Sequence, residues 1–190
     1  SYHSQEAYQK WQSALNEYER LKKEQERVRQ ELLLLTGFSP DSPVVLEKMP
    51  LPDVSRAALV NPQEDRQQAL GNNYELRSGR MGNAGSNQEL HKKQRQTELD
   101  ENQMFASLET LGNQIRSCQA EWEAACAKEQ AQRAVWQSAV RKRELGTMAE
   151  GEYLEIYSQY MEEKGNQAQA SIRFLLAMEE YDWAKKGLMD

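Results

Sequence analysis

Apolar side chains fall along this chain in steps of three and four, and the cleanest run lies within residues 87–145. Met104, Leu108, Leu111, Ile115, Cys118, Trp122, Ala125, Glu129, Gln132, Trp136 and Ala139 follow one another without a slip. This is a heptad seam sustained for about five repeats, with polar intrusions at Glu129 and Gln132. A period close to 3.5 predicts a left-handed supercoil. A continuous helix over these residues would extend roughly 90 Å, with Gly112 as its weak point. Ala120, Ala124, Ala125, Ala127, Ala131, Ala134 and Ala139 predict close helix approach along it.

The same periodicity marks a first helix over residues 2–36, through Tyr8, Trp11, Leu15, Tyr18, Leu21, Val28, Leu32 and Leu35. Gly37 ends it, and Pro40 and Pro43 prevent a restart. Residues 38–62 read as a Pro-rich linker. Its Val44, Val45, Leu46, Met49 and Leu51 are expected to cover apolar surface, and its Asp53 to cap a short turn reaching Leu59. Asn61-Pro62 announces a short helix from Gln63 to about Arg77, and Ser78–Gly85 reads as a turn. After the break at Leu145-Gly146-Thr147-Met148, a helix from about Ala149 to Leu188 carries Tyr153, Ile156, Tyr157, Tyr160, Ile172, Phe174, Leu175, Met178, Tyr181 and Leu188. Lys164, Gln167 and Ser171 interrupt this second seam. A short break between two long helices makes an antiparallel hairpin. The predicted fold is therefore all-α: an elongated antiparallel coiled-coil hairpin or bundle, with residues 1–190 forming a single helical module.

Composition supports narrow seams over a thick core, because only 38% of residues are hydrophobic while 28% are charged. A net charge of -6, with Lys and Arg interleaved among Glu, argues against nucleic acid as a partner. No run of about 20 apolar residues is present, so no membrane-spanning helix is expected. Cys118 and Cys126 would stand ~12 Å apart along one helix, beyond disulfide reach, and read as small buried side chains. The two histidines, His3 and His91, have no cluster around them, and adjacent carboxylates such as Glu162-Glu163 diverge on a helix. The segment SGRMGNAG lacks the strand and the Lys-Ser/Thr ending of a phosphate loop. No enzyme, cofactor or metal is expected.

Several short segments resemble the TolC family of outer-membrane efflux channels. Glu144-Leu145-Gly146-Thr147-Met148-Ala149-Glu150-Gly151-Glu152-Tyr153-Leu154 is similar to the family's hairpin tip turn, and Ala177-Met178-Glu179-Glu180-Tyr181-Asp182-Trp183-Ala184 to its returning helix. Leu32-Leu33-Leu34-Leu35-Thr36-Gly37 resembles a repeat ending, and Asn72-Asn73-Tyr74-Glu75-Leu76-Arg77 the element after the mid-chain crossover. The resemblance implies a helical component of a cell-envelope efflux or export channel, located in the periplasm, at the outer membrane or on the extracellular face. The residues themselves leave the cytoplasm open. It also implies that the tip docks an adaptor protein through Arg143, Leu145, Gly146, Thr147 and Glu150. Two departures stand against it. SGRMGNAGS replaces the family's β-strands, so a barrel is not expected, and the first repeat lacks its descending helix. Leu108, Leu111, Ile115, Trp122, Trp136, Tyr153, Tyr157 and Tyr160 form the expected assembly seam. These side chains either fill the space between the chain's own helices or face neighbouring protomers. The alternative function is a homo-oligomeric coiled-coil scaffold or tether without a transport role, pairing residues 104–139 with a second copy.

Overall fold

The computed structural model describes residues 2–45, 47–81 and 85–188, and the chain forms two compact units, residues 1–49 and 50–190. Among the described residues all regular structure is helical, as the periodicity predicts.

In the first unit, α1 spans Tyr2–Leu35. It closes with Phe38 N–H donating to Leu33 O at 2.8 Å and Gly37 N–H to Leu34 O at 3.0 Å, the paired bonds of a Schellman stop. Leu33 is fully buried, whereas Tyr8, Trp11, Leu15, Tyr18 and Leu21 along the predicted stripe are exposed. Arg29 donates to the carbonyls of Ser42 and Val44 at 3.0 Å each, tying the linker back to α1. The expected covering role of the linker side chains is not met. Val44 is half-buried, but Val45, Met49 and Leu51 are exposed, and Leu46 lies outside the described residues. Prolines that hold the backbone extended also turn successive side chains to opposite sides.

In the second unit, α2 (Val54–Ala58), α3 (Pro62–Asn72) and α4 (Tyr74–Met81) precede the long α5 (Asn87–Glu144) and α6 (Glu150–Lys185). Asp53 caps α2, accepting from Ser55 N–H and Arg56 N–H. Asn61 caps α3, with Pro62 in the first turn where its missing N–H costs nothing. The single helix expected from Gln63 to Arg77 is two helices. Asn73 leaves the helical conformation, with ψ 118, ending α3, and its Oδ1 accepts from Leu76 N–H at 2.9 Å to start α4. That new start carries α4 to Met81, into the segment expected to turn, of which Gly82–Ala84 lie outside the described residues.

Helices α5 and α6 pack antiparallel over their shared length, in register about the turn. Every predicted seam position from Met104 to Ala139 is buried or half-buried. The matching series on α6 is Tyr153, Ile156, Tyr160, Glu163, Gln167, Ala170, Phe174, Ala177, Tyr181 and Ala184, again in strict three-four alternation. Each of these is as far from Gly146 in sequence as its α5 counterpart, Ala139 matching Tyr153 and Cys118 matching Phe174, and ring contacts cross the seam from Trp136 to Tyr160 and from Trp122 to Phe174. This corrects the expected α6 seam. Ile172 and Leu188 point outward, while Gln167 belongs to the seam and donates to Cys126 Sγ at 3.7 Å.

The thickest core lies at the end away from the turn, where α2–α4 add a third layer around Leu108, Ile115, Phe174, Met178 and Tyr181. Polar contacts lock that layer. Tyr181 OH donates to Asp65 Oδ2 at 2.7 Å, and Lys185 Nζ pairs with Asp65 Oδ1 at 2.8 Å. Arg56 pairs with Asp182 and Glu179, and Asn72 Nδ2 donates to Lys185 O at 2.8 Å. Gly187, at φ 82, lets the α6 terminus approach Asn72, whose carbonyl atoms would lie 2.5 Å from any Cβ there. Gly112, expected as a weak point, leaves α5 unbroken and admits the Pro62 ring, whose Cγ would stand 2.7 Å from an added Cβ.

Three outcomes follow for stability. Gly112→Ala forces α3 off α5, which outweighs the helix-propensity gain of about 1 kcal/mol, so the urea midpoint falls. Gly165→Ala, with open space around it, raises the midpoint. Burial, then the Asp65 hydrogen bond, raises the Tyr181 phenol well above its ordinary value. The folded-state value exceeds the unfolded one, so this stabilisation is complete below pH of about 10 and is lost as pH rises further. Stability measured above pH of about 10 therefore declines more steeply in the wild type than in Tyr181→Phe.

Candidate interaction sites at the hairpin tip and along the seam

The tip is built by the end of α5. Arg141, Lys142 and Arg143 occupy the last turn, where the helix dipole favours positive charge. Thr147 N–H donates to Lys142 O at 2.9 Å and Gly146 N–H to Arg143 O at 2.9 Å, a second Schellman stop. It requires the left-handed conformation that Gly146 adopts at φ 67. Thr147 Oγ1 adds a bond to Lys142 O at 3.0 Å. Across the turn Arg143 pairs with Glu150 at 2.9 Å, and its guanidinium lies 4.3 Å from the Tyr153 ring centroid. The five residues expected at the tip are thus brought together, and four of them, Arg143, Gly146, Thr147 and Glu150, hold the turn. Leu145 is left 77% exposed at its apex.

Behind the tip the seam is aromatic. Trp136 stacks on Tyr160 at 4.8 Å between centroids with 3° between planes, and lies 6.2 Å from Tyr157. Tyr153 and Tyr157 are 6.4 Å apart, and Trp122 packs on Phe174 at 5.9 Å. Of the expected assembly seam, Leu108, Ile115 and Tyr160 are buried, and Leu111, Trp122, Trp136 and Tyr153 half-buried, all along the α5–α6 seam. Tyr157 alone of the set is exposed, at 39%. The other seven lie in the space between the chain's own helices, while Tyr157 faces outward. The indole N–H groups of Trp122 and Trp136 are buried without an acceptor, a local cost within the seam.

Exposed apolar residues on the far side of α6, Leu154, Met161, Leu176 and Trp183, were missed as a group by the sequence reading. Subtracting the strict three-four series of the inner seam from α6 would have revealed them. At the opposite end of the hairpin an open groove of about 1040 Å³ is lined by Tyr74, Trp183, Leu188, Ser107, Thr110, Glu75 and Glu180 among others. Histidine and cysteine are absent from its lining. Cys118 and Cys126 are half-buried free thiols, and burial pushes the Cys118 thiol up. Among the described residues no group of His, Cys, Asp or Glu is arranged to hold a metal, and no helix is long and apolar enough to cross a membrane. No protein-family model, curated protein or solved structure matches this chain.

Removing the central stack tests its contribution. Trp136→Ala should lose about 3 kcal/mol of unfolding free energy, whereas Trp136→Phe, which also removes the unpaired N–H, should lose markedly less. Equal losses would contradict the aromatic stack as the source of the effect.

Proposed function

We propose that this chain is a non-enzymatic helical-hairpin component of a cell-envelope export or efflux assembly of the TolC type, associating with other protomers and docking a partner protein through its tip. The observation that carries this reading is the tip itself. A stiff Schellman turn, braced by the Arg143–Glu150 pair, presents Leu145 to solvent beside three basic residues. An exposed leucine held on a rigid support pays little ordering entropy on binding, which suits a docking contact. The α5–α6 seam supports the same reading. Its apolar positions are already filled within one chain, so Leu145 and the outer helix faces are left for other proteins.

A scaffold or tether without a transport role is the second reading, favoured by the absence of strands among the described residues and by the exposed stripe on α1. Under it, α1 rather than the tip carries the main contact.

A photo-crosslinking residue placed at Leu145 in the source cells distinguishes them, with exposed Leu59 as the control position. The expected product joins position 145 to an envelope adaptor protein, and Leu145→Asp abolishes function while leaving helical circular dichroism unchanged. Products only with cytoplasmic proteins, or equal yields from both positions, would remove the export reading.

A further inference from the structure

The outer face of α6 carries a ridge. Leu154, Tyr157, Met161 and Ile172 expose between 39% and 52% of their surface, and their spacing keeps them along one side of the helix. Gly165 and Ala168 fill the two intervening positions between Met161 and Ile172. The exposed face of α5 is the reverse, a trough of Ala120, Ala124, Ala127, Ala131, Val135 and Ser138.

These faces match level by level. Ser138 and Leu154 are equally distant from Gly146, as are Val135 and Tyr157, Ala131 and Met161, Ala127 and Gly165, Ala124 and Ala168, and Ala120 and Ile172. At four of these six levels a larger side chain on α6 stands at the height of a smaller one on α5, and at the other two both are small. Each stripe is turned about 140° from its own helix's seam, in the same sense seen down the hairpin. On two antiparallel helices this puts them on opposite sides, so they cannot meet within one molecule. Charge points the same way. Over matched levels, residues 115–144 hold six basic and four acidic residues, whereas residues 148–177 hold two basic and five acidic. Lys128 beside the trough and Glu162 beside the ridge fall on the same rim at nearly the same height.

We infer that the α6 ridge of one copy docks in the α5 trough of a second copy, with hairpins parallel and tips level. The inference rests on the assembly reading above and supplies its lateral contact. Because the two faces differ, the contact is heterologous, and repetition yields a ring or an open row. The opposite net charges of these two helix stretches favour this pairing over ridge against ridge.

The test uses the full chain with Cys118→Ala and Cys126→Ala, carrying either Ala131→Cys or Met161→Cys, each with a tag of different size. Mixed under mild oxidation, the two proteins should give mainly the mixed disulfide dimer. Adding Ile172→Glu to the Met161→Cys protein should lower its yield at least about tenfold, with helicity unchanged. Sedimentation of the otherwise unaltered chain should show concentration-dependent association, and Ile172→Glu should be monomeric. A monomeric wild type, or dimers formed only between two Met161→Cys copies, would overturn the inference. Leu145→Asp leaves this contact intact, so a failure of tip docking is read separately.

Discussion

Everything in the second unit depends on one narrow seam in which α5 and α6 descend from Gly146 in equal three-four steps. Each level contributes one side chain from each helix. Near the tip the seam is a single layer, and large rings do the filling, with Trp136 on Tyr160 at its centre. Lower down, α2–α4 close over it, and the buried side chains become Leu108, Ile115 and Phe174. A chain with few apolar residues can fold this way because a two-helix seam needs only two positions in seven from each helix.

The short helices are held by polar contacts as well as by burial. Asp65 takes both the Tyr181 hydroxyl and the Lys185 ammonium, so α3 is fixed to the last turns of α6. Asn72 and the close approach of Gly187 fix the junction between α3 and α4 to the same place. Pro62 lying against Gly112 sets how near α3 comes to α5. The end of the hairpin without this third layer is the tip, where the Schellman bonds and the Arg143–Glu150 pair set the geometry. Rigidity there comes from the backbone, which leaves the side chain of Leu145 free to meet another surface.

The α5 seam was legible in the sequence because its period is unbroken across polar positions such as Glu129 and Gln132. The α6 seam was harder to read. Its inner positions include Glu163, Gln167 and Ala170, while Ile172 and Leu176 lie outside, so hydrophobicity alone selects the wrong face. Symmetry about Gly146 selects the right one. The caps at Asp53 and Asn61 were readable from residue type. The break at Asn73 was not, because it depends on the α6 terminus packing against Asn72 and Asn73, a long-range contact. The tip residues are close neighbours in sequence, so a turn reading was enough to group them. The outer ridge of α6 needed the inner seam to be known first.

Distances between spin labels on Glu123 and Gln169, in a chain with both cysteines replaced, test the in-register hairpin directly. Both positions are exposed and equally far from Gly146. With helix axes 8–10 Å apart, the labels should lie roughly 15–25 Å from each other, and dilution with unlabelled protein should not change the distribution. A separation several times larger, or a short distance that disappears on dilution, would contradict the hairpin.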